Sequence, residues 1–485
     1  MCFIYGLAVI LAIFEGIIIQ CEGTWDAGSS NQRQDAQTID NEEDNLFMPK
    51  DLIELIYSKA DFKTMRLAIQ NFIVPPDTIE MSKILHGHII QIGPFEDDTD
   101  IIEFNYKGES FLKFKSYQKL EEFFEKFGDQ VKKISVCYSF ISKDVPHKEI
   151  NKNIIRKYAN NFEELRIITQ DDGRFWKEIS NEGIDIIFPE VKKFKIFGRS
   201  TRKKFKLNLV FPKLESFELS GAVADVNCLA NVKGLKELSL WTKSIKEDQL
   251  EDIFKNNRDM TKFSLFTPKR TETMHSIARY LTNLKTLEVD FDTKDSFSAT
   301  FLLRENYNAI YQLPSVTHFY IKFYGMKKVL DSGDLSFNMP NLKHLTLNGE
   351  QADVRIVNFI KQFEKLEILE LFLYYFNPIK CIEHLEHIKE FTTNLYGDRF
   401  DSLVNVFKNF DEEFKLQTVR FVKFDESLYQ TYEDKMKKIN NSLKRSNKST
   451  WTLSNEKPIE TGEKYLMFRR VPCKSRRNCL CFPSI

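Results

Sequence analysis

Glycine and proline are scarce in this chain, at 18 and 14 of 485 residues, which speaks against a loop-rich enzyme scaffold and suits small, repeated hydrophobic units. Net charge is missing too. Lys+Arg and Asp+Glu number 70 each, so no overall field draws the chain toward nucleic acid or an anionic membrane, and partners must be sought in local surfaces. Cysteines are few and scattered: Cys137, Cys228 and Cys381 lie far apart, form no disulfide framework, and read as buried or free thiols. Cys473, Cys479 and Cys481 cluster beside Arg469, Arg470, Lys474, Arg476 and Arg477, but no histidine is near enough to complete a zinc set, so this end reads as a basic tail. Cys481 also stands one residue too early for a prenylation box.

Catalytic signatures are lacking as well. There is no phosphate-cradling glycine loop, no HExxH helix, no nucleophile elbow and no paired-cysteine zinc spacing. His384 and His387 are three apart and could share a helix face, yet no third ligand has a clear spacing, so they read as solvent or packing histidines. His86 and His88, either side of Gly87, read the same way. The expectation is a protein that is not an enzyme and has no catalytic, cofactor-binding or metal-binding residues.

What is abundant is apolar mass, with 43 phenylalanines and 42% hydrophobic residues in a chain too long for one ordinary core. Several domains or one repeat array must therefore divide it. Phe3 to Phe14 form an uncharged apolar run of signal-peptide length, followed by Ile17 to Ile19 and the small residues Cys21 and Gly23. Residues 1–23 thus resemble a cleaved signal peptide, although no Lys or Arg precedes the run and Glu15 interrupts it. Glu15 also leaves the run short of a membrane span. The alternatives are a mistaken start and a buried helix. Residues 24–45 are polar, acidic and almost free of large apolar side chains, which predicts a disordered linker.

From Val131 one pattern recurs: apolar, two variable, apolar, one variable, apolar. It reads VKKISV at 131, FEELRI at 162, VKKFKI at 191, LESFEL at 214, LKELSL at 235 and MTKFSL at 260. It continues as LKTLEV at 284, VTHFYI at 316, LKHLTL at 342, LEILEL at 366, IKEFTT at 388 and LQTVRF at 416. These twelve copies recur at a mean spacing of about 26 residues, inside the range of leucine-rich repeats. Between them, helical spacing appears at Leu120/Phe123/Phe124/Phe127, Met274/Ile277/Ala278/Leu281, Ile356/Phe359/Ile360/Phe363 and Leu403/Val406/Phe407/Phe410. Strand and helix should alternate at a fixed offset, each unit burying its apolar face against its neighbours. Pro189, Pro212, Pro314 and Pro340 stand two residues before a motif and mark where a strand is approached.

The pattern resembles leucine-rich repeats and implies an α/β fold, a horseshoe of parallel strands with outer helices, over residues 76–430. The family's Asn or Cys after the strand is absent, with Lys243 and Glu350 standing there, so the turn must satisfy its backbone otherwise. Alternation buries motif positions one, four and six and presents three, five and seven on the concave surface. Those outward positions include Phe197, Trp241, Phe266 and Phe372 at the seventh place and His318, Tyr320 and His344 at the third and fifth. Exposed aromatics on neighbouring strands are anchors for a protein partner, or else pack against loops. Residues 431–485 should hold a helix and the basic, cysteine-containing tail.

Before the repeats, residues 46–75 carry two short apolar helical stretches. Met48-Pro49 opens a helix, Leu52, Leu55 and Ile56 make a stripe, and Asp61 can cap a second helix bearing Met65, Ala68, Ile69 and Phe72. Two such helices are not stable alone and must dock on something. The stretch resembles an F-box in Met48-Pro49, Leu52, Ile56, Tyr57, Asp61, Arg66 and Leu67. It departs from one at Ala60, at Phe72 where Trp is usual, and in a short second half. The resemblance implies that Met48, Pro49, Leu52, Leu55, Ile56 and Tyr57 bind a Skp-family linker of a cullin ubiquitin ligase while the repeats choose the target. The other reading is a helical cap of the solenoid. Signal, F-box and repeats together resemble the secreted F-box/leucine-rich-repeat effectors of gall-forming insects and pathogens, which act inside host cells. Without the signal the chain reads as an ordinary intracellular F-box protein, and without the F-box as an extracellular repeat binder. The sequons at Asn440 and Asn447 matter only for a chain passing through a secretory lumen.

Overall fold

Every one of the twelve motif copies forms a strand, and each strand begins at the third residue of its copy. The strands are Lys133–Tyr138, Glu164–Thr169, Lys193–Gly198, Ser216–Ser220, Glu237–Trp241, Lys262–Phe266, Thr286–Phe291, His318–Phe323, His344–Gly349, Ile368–Leu373, Glu390–Thr393 and Thr418–Phe421. The computed structural model describes residues 85–93, 101–106, 109–114, 117–138, 153–169, 186–198, 205–206, 209–221, 224–225, 229, 231–241, 245–266, 272–291, 310–323, 336–349, 356–373, 377, 379–382, 385–394, 399–409, 414–422, 426–446, 448–456 and 465–471. The expected signal peptide, acidic linker and F-box-like hairpin lie outside these residues, as do His384, Asn447, Cys473, Cys479 and Cys481.

The chain divides into two compact units, residues 1–104 with 110–133, and residues 105–109 with 134–485. In the smaller unit His88 to Gln91 pair in parallel with Ser110 to Lys113. The helix Tyr117–Phe127 buries Leu120, Phe123, Phe124 and Phe127, the stripe expected from its 3.6-residue spacing. Phe123 packs on Phe114 with ring centroids 4.7 Å apart.

The larger unit is built on a parallel ladder of eleven strands, from Glu164–Thr169 to Thr418–Phe421, each paired in register with the strand of the next copy. The register aligns the fourth motif residues into one row, from Leu165 and Phe194 through Leu238 and Leu287 to Phe391 and Val419, each at most 2% exposed. The sixth residues form a second buried row, from Ile167 and Ile196 to Leu371 and Phe421. Thr393 replaces an aliphatic residue in that row, and its hydroxyl donates to the Leu371 carbonyl at 2.6 Å, which satisfies the group inside the core. A coil buries these rows only against the coils beside it, so the unit is a leucine-rich-repeat solenoid.

Two backbone devices tie neighbouring coils together ahead of the strands, while Lys243 and Glu350, where the family's asparagine would stand, lie outside the described residues. The carbonyl of each second motif residue accepts two N–H groups from the next coil: Lys192 and Lys193 donate to Glu163, and the same pattern runs on to Gln417 and Thr418 donating to Lys389. Before nine of the motifs, those beginning at Val131, Val191, Leu214, Met260, Leu284, Val316, Leu342, Leu366 and Ile388, a four-residue turn returns the motif's first N–H to the carbonyl three residues back. Pro189, Pro212, Pro314 and Pro340 occupy the second place of such turns, where a fixed φ helps and no N–H is needed. The residue opening each turn is apolar and buried, as at Phe188, Phe211, Leu281, Leu313, Met339 and Phe363. Asn257 holds that place once: it is 3% exposed, accepts from Leu235 N–H at 2.8 Å, and donates to Val232 and Ile253 carbonyls at 2.9 Å each.

Among the described residues the segments between strands are of two kinds. Helices Glu247–Asn256, Glu272–Tyr280, Ile356–Lys361, Ile379–Ile382 and Arg399–Asn409 follow some strands. Phe254 packs edge-on to Phe263 of the fourth-position row, 5.0 Å between centroids, so these helices cover the buried side. Other coils carry short extended pairs, Ile186–Ile187 with Leu209–Val210 and Ile310–Gln312 with Ser336–Asn338. Residues 205–209 alternate apolar and polar, a period of two that favours extended chain over helix. Coil lengths accordingly vary from 21 to 32 residues between equivalent positions.

After the last parallel strand come the helix Tyr429–Arg445 and a hairpin of Thr450–Glu456 and Tyr465–Val471, whose second strand pairs antiparallel with Thr418–Phe421. Phe468 of the hairpin fills the end of the core between Phe400, Phe407 and Phe421. Among the described residues no helix is long and apolar enough to cross a membrane.

Candidate functional site

Strand alternation sends the third, fifth and seventh motif residues to the side opposite the buried rows, and the ladder lines these up as well. Functional side chains would therefore stand on a rigid frame whose spacing is set by backbone hydrogen bonds. Two groups of the sequence-predicted residues sit together on this open face, separated by the strand Thr286–Phe291.

The first group is Trp241 and Phe266, the seventh residues of adjacent strands. Trp241 is 44% exposed, whereas Phe266 is 7% exposed beneath it, the two rings stacked with planes 17° apart. Phe266 is thus not an exposed anchor, because its larger neighbour lies over it. The Trp241 indole N–H donates to Ser239 Oγ at 3.0 Å, and the Trp241 carbonyl accepts from Gly221 N–H at 3.0 Å. Gly221 has φ +68°, a left-handed conformation in which an added Cβ would also collide with the Gly198 carbonyl. Glycine there lets the chain leave its strand and still hold the end of the Trp241 strand.

His318, Tyr320 and His344 make the second group, on the adjacent strands His318–Phe323 and His344–Gly349. The two imidazoles lie 5.5 Å apart. His344 Nε2 is 3.6 Å from Glu370 Oε1, and Thr346 donates to Glu370 Oε2 at 2.9 Å. Burial alone would raise the Glu370 carboxyl, but hydrogen bonds from His344 and Thr346 and the charges of His344 and Arg420 hold it below the usual carboxylate range. Partial burial and the neighbouring His344 and Lys343 push His318 below its ordinary value. Burial pushes the Tyr320 phenol up, against a hydrogen bond with Asn348. Phe197 and Phe372 are half-buried and stand apart from both groups, Phe197 beside Ile168 and Ser220, Phe372 beside Asn348.

Sequence reasoning passed over the charged residues between the aromatics. At the fifth motif position, Glu218 and Ser239 are direct neighbours, followed by Ser264 and Glu288. Glu288 accepts from Ser264 at 2.7 Å and lies 3.4 Å from Lys262, while Asp290 accepts from Lys322 at 2.9 Å. The available signal was that these charges occupy the same odd motif positions as the aromatics. At one end of the face Arg166, 5% exposed, donates to Glu164 and Glu109 at 2.6 Å each and reads as a buried structural ion group.

His387 has a buried Nε2 with no hydrogen-bond partner, and burial with the nearby Lys415 pushes it below its ordinary value against the pull of Glu386. Cys381 is fully buried and its thiol is pushed up to about 12 by burial alone. Cys137 is half-buried. Among the described residues no group of three or more His, Cys, Asp or Glu is placed to hold a metal ion.

No family model matches the sequence, and no curated protein matches it. Among solved structures, an internalin from Listeria monocytogenes matches at 14% identity over 54% of this chain and 75% of its own, with a TM-score of 0.28.

Proposed function

We propose that this chain works by binding another protein on the open strand face, as the target-reading part of a Skp/cullin/F-box adaptor, and that it does no chemistry of its own. The observation that carries the binding reading is the placement of an exposed Trp241 and a His318/His344/Tyr320 cluster on one rigid ladder. Aromatic side chains held in place beforehand lose little entropy on binding, which is why such groups dominate interface energies.

The ligase half rests on sequence: Met48, Pro49, Leu52, Leu55, Ile56 and Tyr57 match the F-box pattern just ahead of the repeats. The apolar run before them supports delivery as a secreted effector acting on host proteins. The test is a pull-down of a purified Skp-family protein by the full chain and by a variant with Leu52, Leu55 and Ile56 changed to Glu. Binding by the wild type and not by the variant is expected. A wild type that does not bind would leave a repeat binder with no ligase role. Uncleaved residues 1–23 in the mature protein would remove the export claim.

A further inference from the structure

The third motif residues of six consecutive strands form a row that reads Lys262, Thr286, His318, His344, Ile368, Glu390. Two histidines thus stand side by side in register, their ring centroids 5.5 Å apart, with an uncharged residue on either side. Both reach solvent and can exchange protons with it. Their hydrogen-bond surroundings differ. His344 is set to carry a charge: its Nε2 faces Thr346 Oγ1 at 3.5 Å and Glu370 Oε1 at 3.6 Å. The Thr346 hydroxyl gives its hydrogen to Glu370 Oε2 at 2.9 Å, so both oxygens before Nε2 are acceptors and that nitrogen is a donor. A proton added at Nδ1 then makes an imidazolium beside a carboxylate, an arrangement that favours the charged form.

His318 is set to stay neutral. Its Nδ1 lies 2.9 Å from Thr317 Oγ1. The other acceptor near that hydroxyl, the Lys285 carbonyl at 3.3 Å, already takes the Thr317 and His318 N–H groups at 2.9 and 3.0 Å. The hydroxyl therefore serves best as a donor to Nδ1, and a hydrogen bond to the neutral ring disfavours the charged one. Partial burial acts the same way, and so do the charges that bear on His318, those of His344 and Lys343. The other charges around the pair are committed to one another: Glu288 lies 3.4 Å from Lys262, Asp290 2.9 Å from Lys322, and Glu390 2.6 Å from Arg420. Tyr320, next outward on the His318 strand, has a phenol that burial pushes up, so it does not titrate with the histidines.

We infer that His318 and His344 form a one-proton switch on the open face: as pH falls His344 is charged against Glu370 while His318 stays neutral. The face then gains one positive charge at one fixed place, where two independent histidines would give two. Groups coupled in this way titrate in two separate steps. The device belongs to the folded ladder and does not depend on the face binding a protein. The test is NMR of the full chain with labelled histidine Cε1, titrated from about pH 8 to 5, the two signals assigned with His318→Gln and His344→Gln. The His344 signal is expected to move first and the His318 signal about one pH unit lower. In His344→Gln the His318 step should rise by about half a unit or more, and in Glu370→Gln the two steps should draw together. Circular dichroism checks the fold of each variant, and the order of the wild-type steps tests the inference even if Glu370→Gln fails to fold. Two signals that move together in the wild type, a His318 signal that moves first, or a His318 step untouched by His344→Gln would each overturn the switch.

Discussion

The side-chain amide of Asn440 grips the backbone of Trp451 at both ends, donating to its carbonyl at 2.7 Å and accepting from its N–H at 2.9 Å. Trp451 lies on the strand Thr450–Glu456, which pairs on its other side with Tyr465–Val471. A strand whose outward N–H and C=O are open is a template for pairing with another chain. Asn440, carried on the helix Tyr429–Arg445, occupies both groups, and the Trp451 ring stacks on Phe407 with planes 14° apart.

Replacing Asn440 by Ala should therefore cost about 1–3 kcal/mol, the usual penalty for stranding paired backbone groups. Urea unfolding of the variant measures it; a midpoint equal to wild type would show that water substitutes for the amide. Asn440 also opens an Asn-x-Ser sequon, and with both amide atoms engaged it is expected to stay unmodified in folded protein from a secretory host, which intact-mass analysis reads directly.

Asn257→Leu should destabilise the solenoid although it restores the apolar residue found at this place in other coils. The substitution strands the Leu235 N–H and the Val232 carbonyl in the core, at a cost of about 1–3 kcal/mol. Denaturant melts compare it with Leu281→Val, which trims a packing residue at the equivalent place. An unchanged or raised midpoint for Asn257→Leu would show that its three hydrogen bonds contribute nothing net.

Stability should fall as pH drops below about 6.5, the ordinary histidine value. His387 and His318 both sit below that value when folded. Over the window between their unfolded and folded values the unfolded chain binds more protons, so stability is complete above the unfolded value and declines toward the folded one. Comparing urea midpoints at about pH 7.5 and 5.5 stays above the carboxylate range, where Glu370 would add its own loss. In His387→Phe the difference should shrink. An unaltered difference would place the titration elsewhere.

How far the sequence was legible follows from which forces are local. Strand starts could be read because a buried Leu or Phe at positions one, four and six is a two-residue alternation that any window exposes. The 3.6-residue spacing of Leu120, Phe123, Phe124 and Phe127 was as plain for the helix Tyr117–Phe127, and all four are buried as that spacing demands. The turn opened by Phe188 or Met339 was harder, since its proline was visible but the closing hydrogen bond was not. Phe266 shows the limit: alternation puts it on the open face, but only the adjacent strand decides that Trp241 covers it. The hairpin at Thr450–Val471 lay hidden because its pairing partner, Thr418–Phe421, is 45 to 51 residues back from the strand it pairs with, across a helix.

The open face as the binding surface is tested most directly by placing a photo-crosslinking phenylalanine analogue at two exposed sites in separate proteins, Trp241 on the ladder and Lys361 on the helix side. Irradiated with the protein that the chain captures, position 241 is predicted to form the adduct and position 361 to form none. An adduct at 361 with none at 241 would contradict the account.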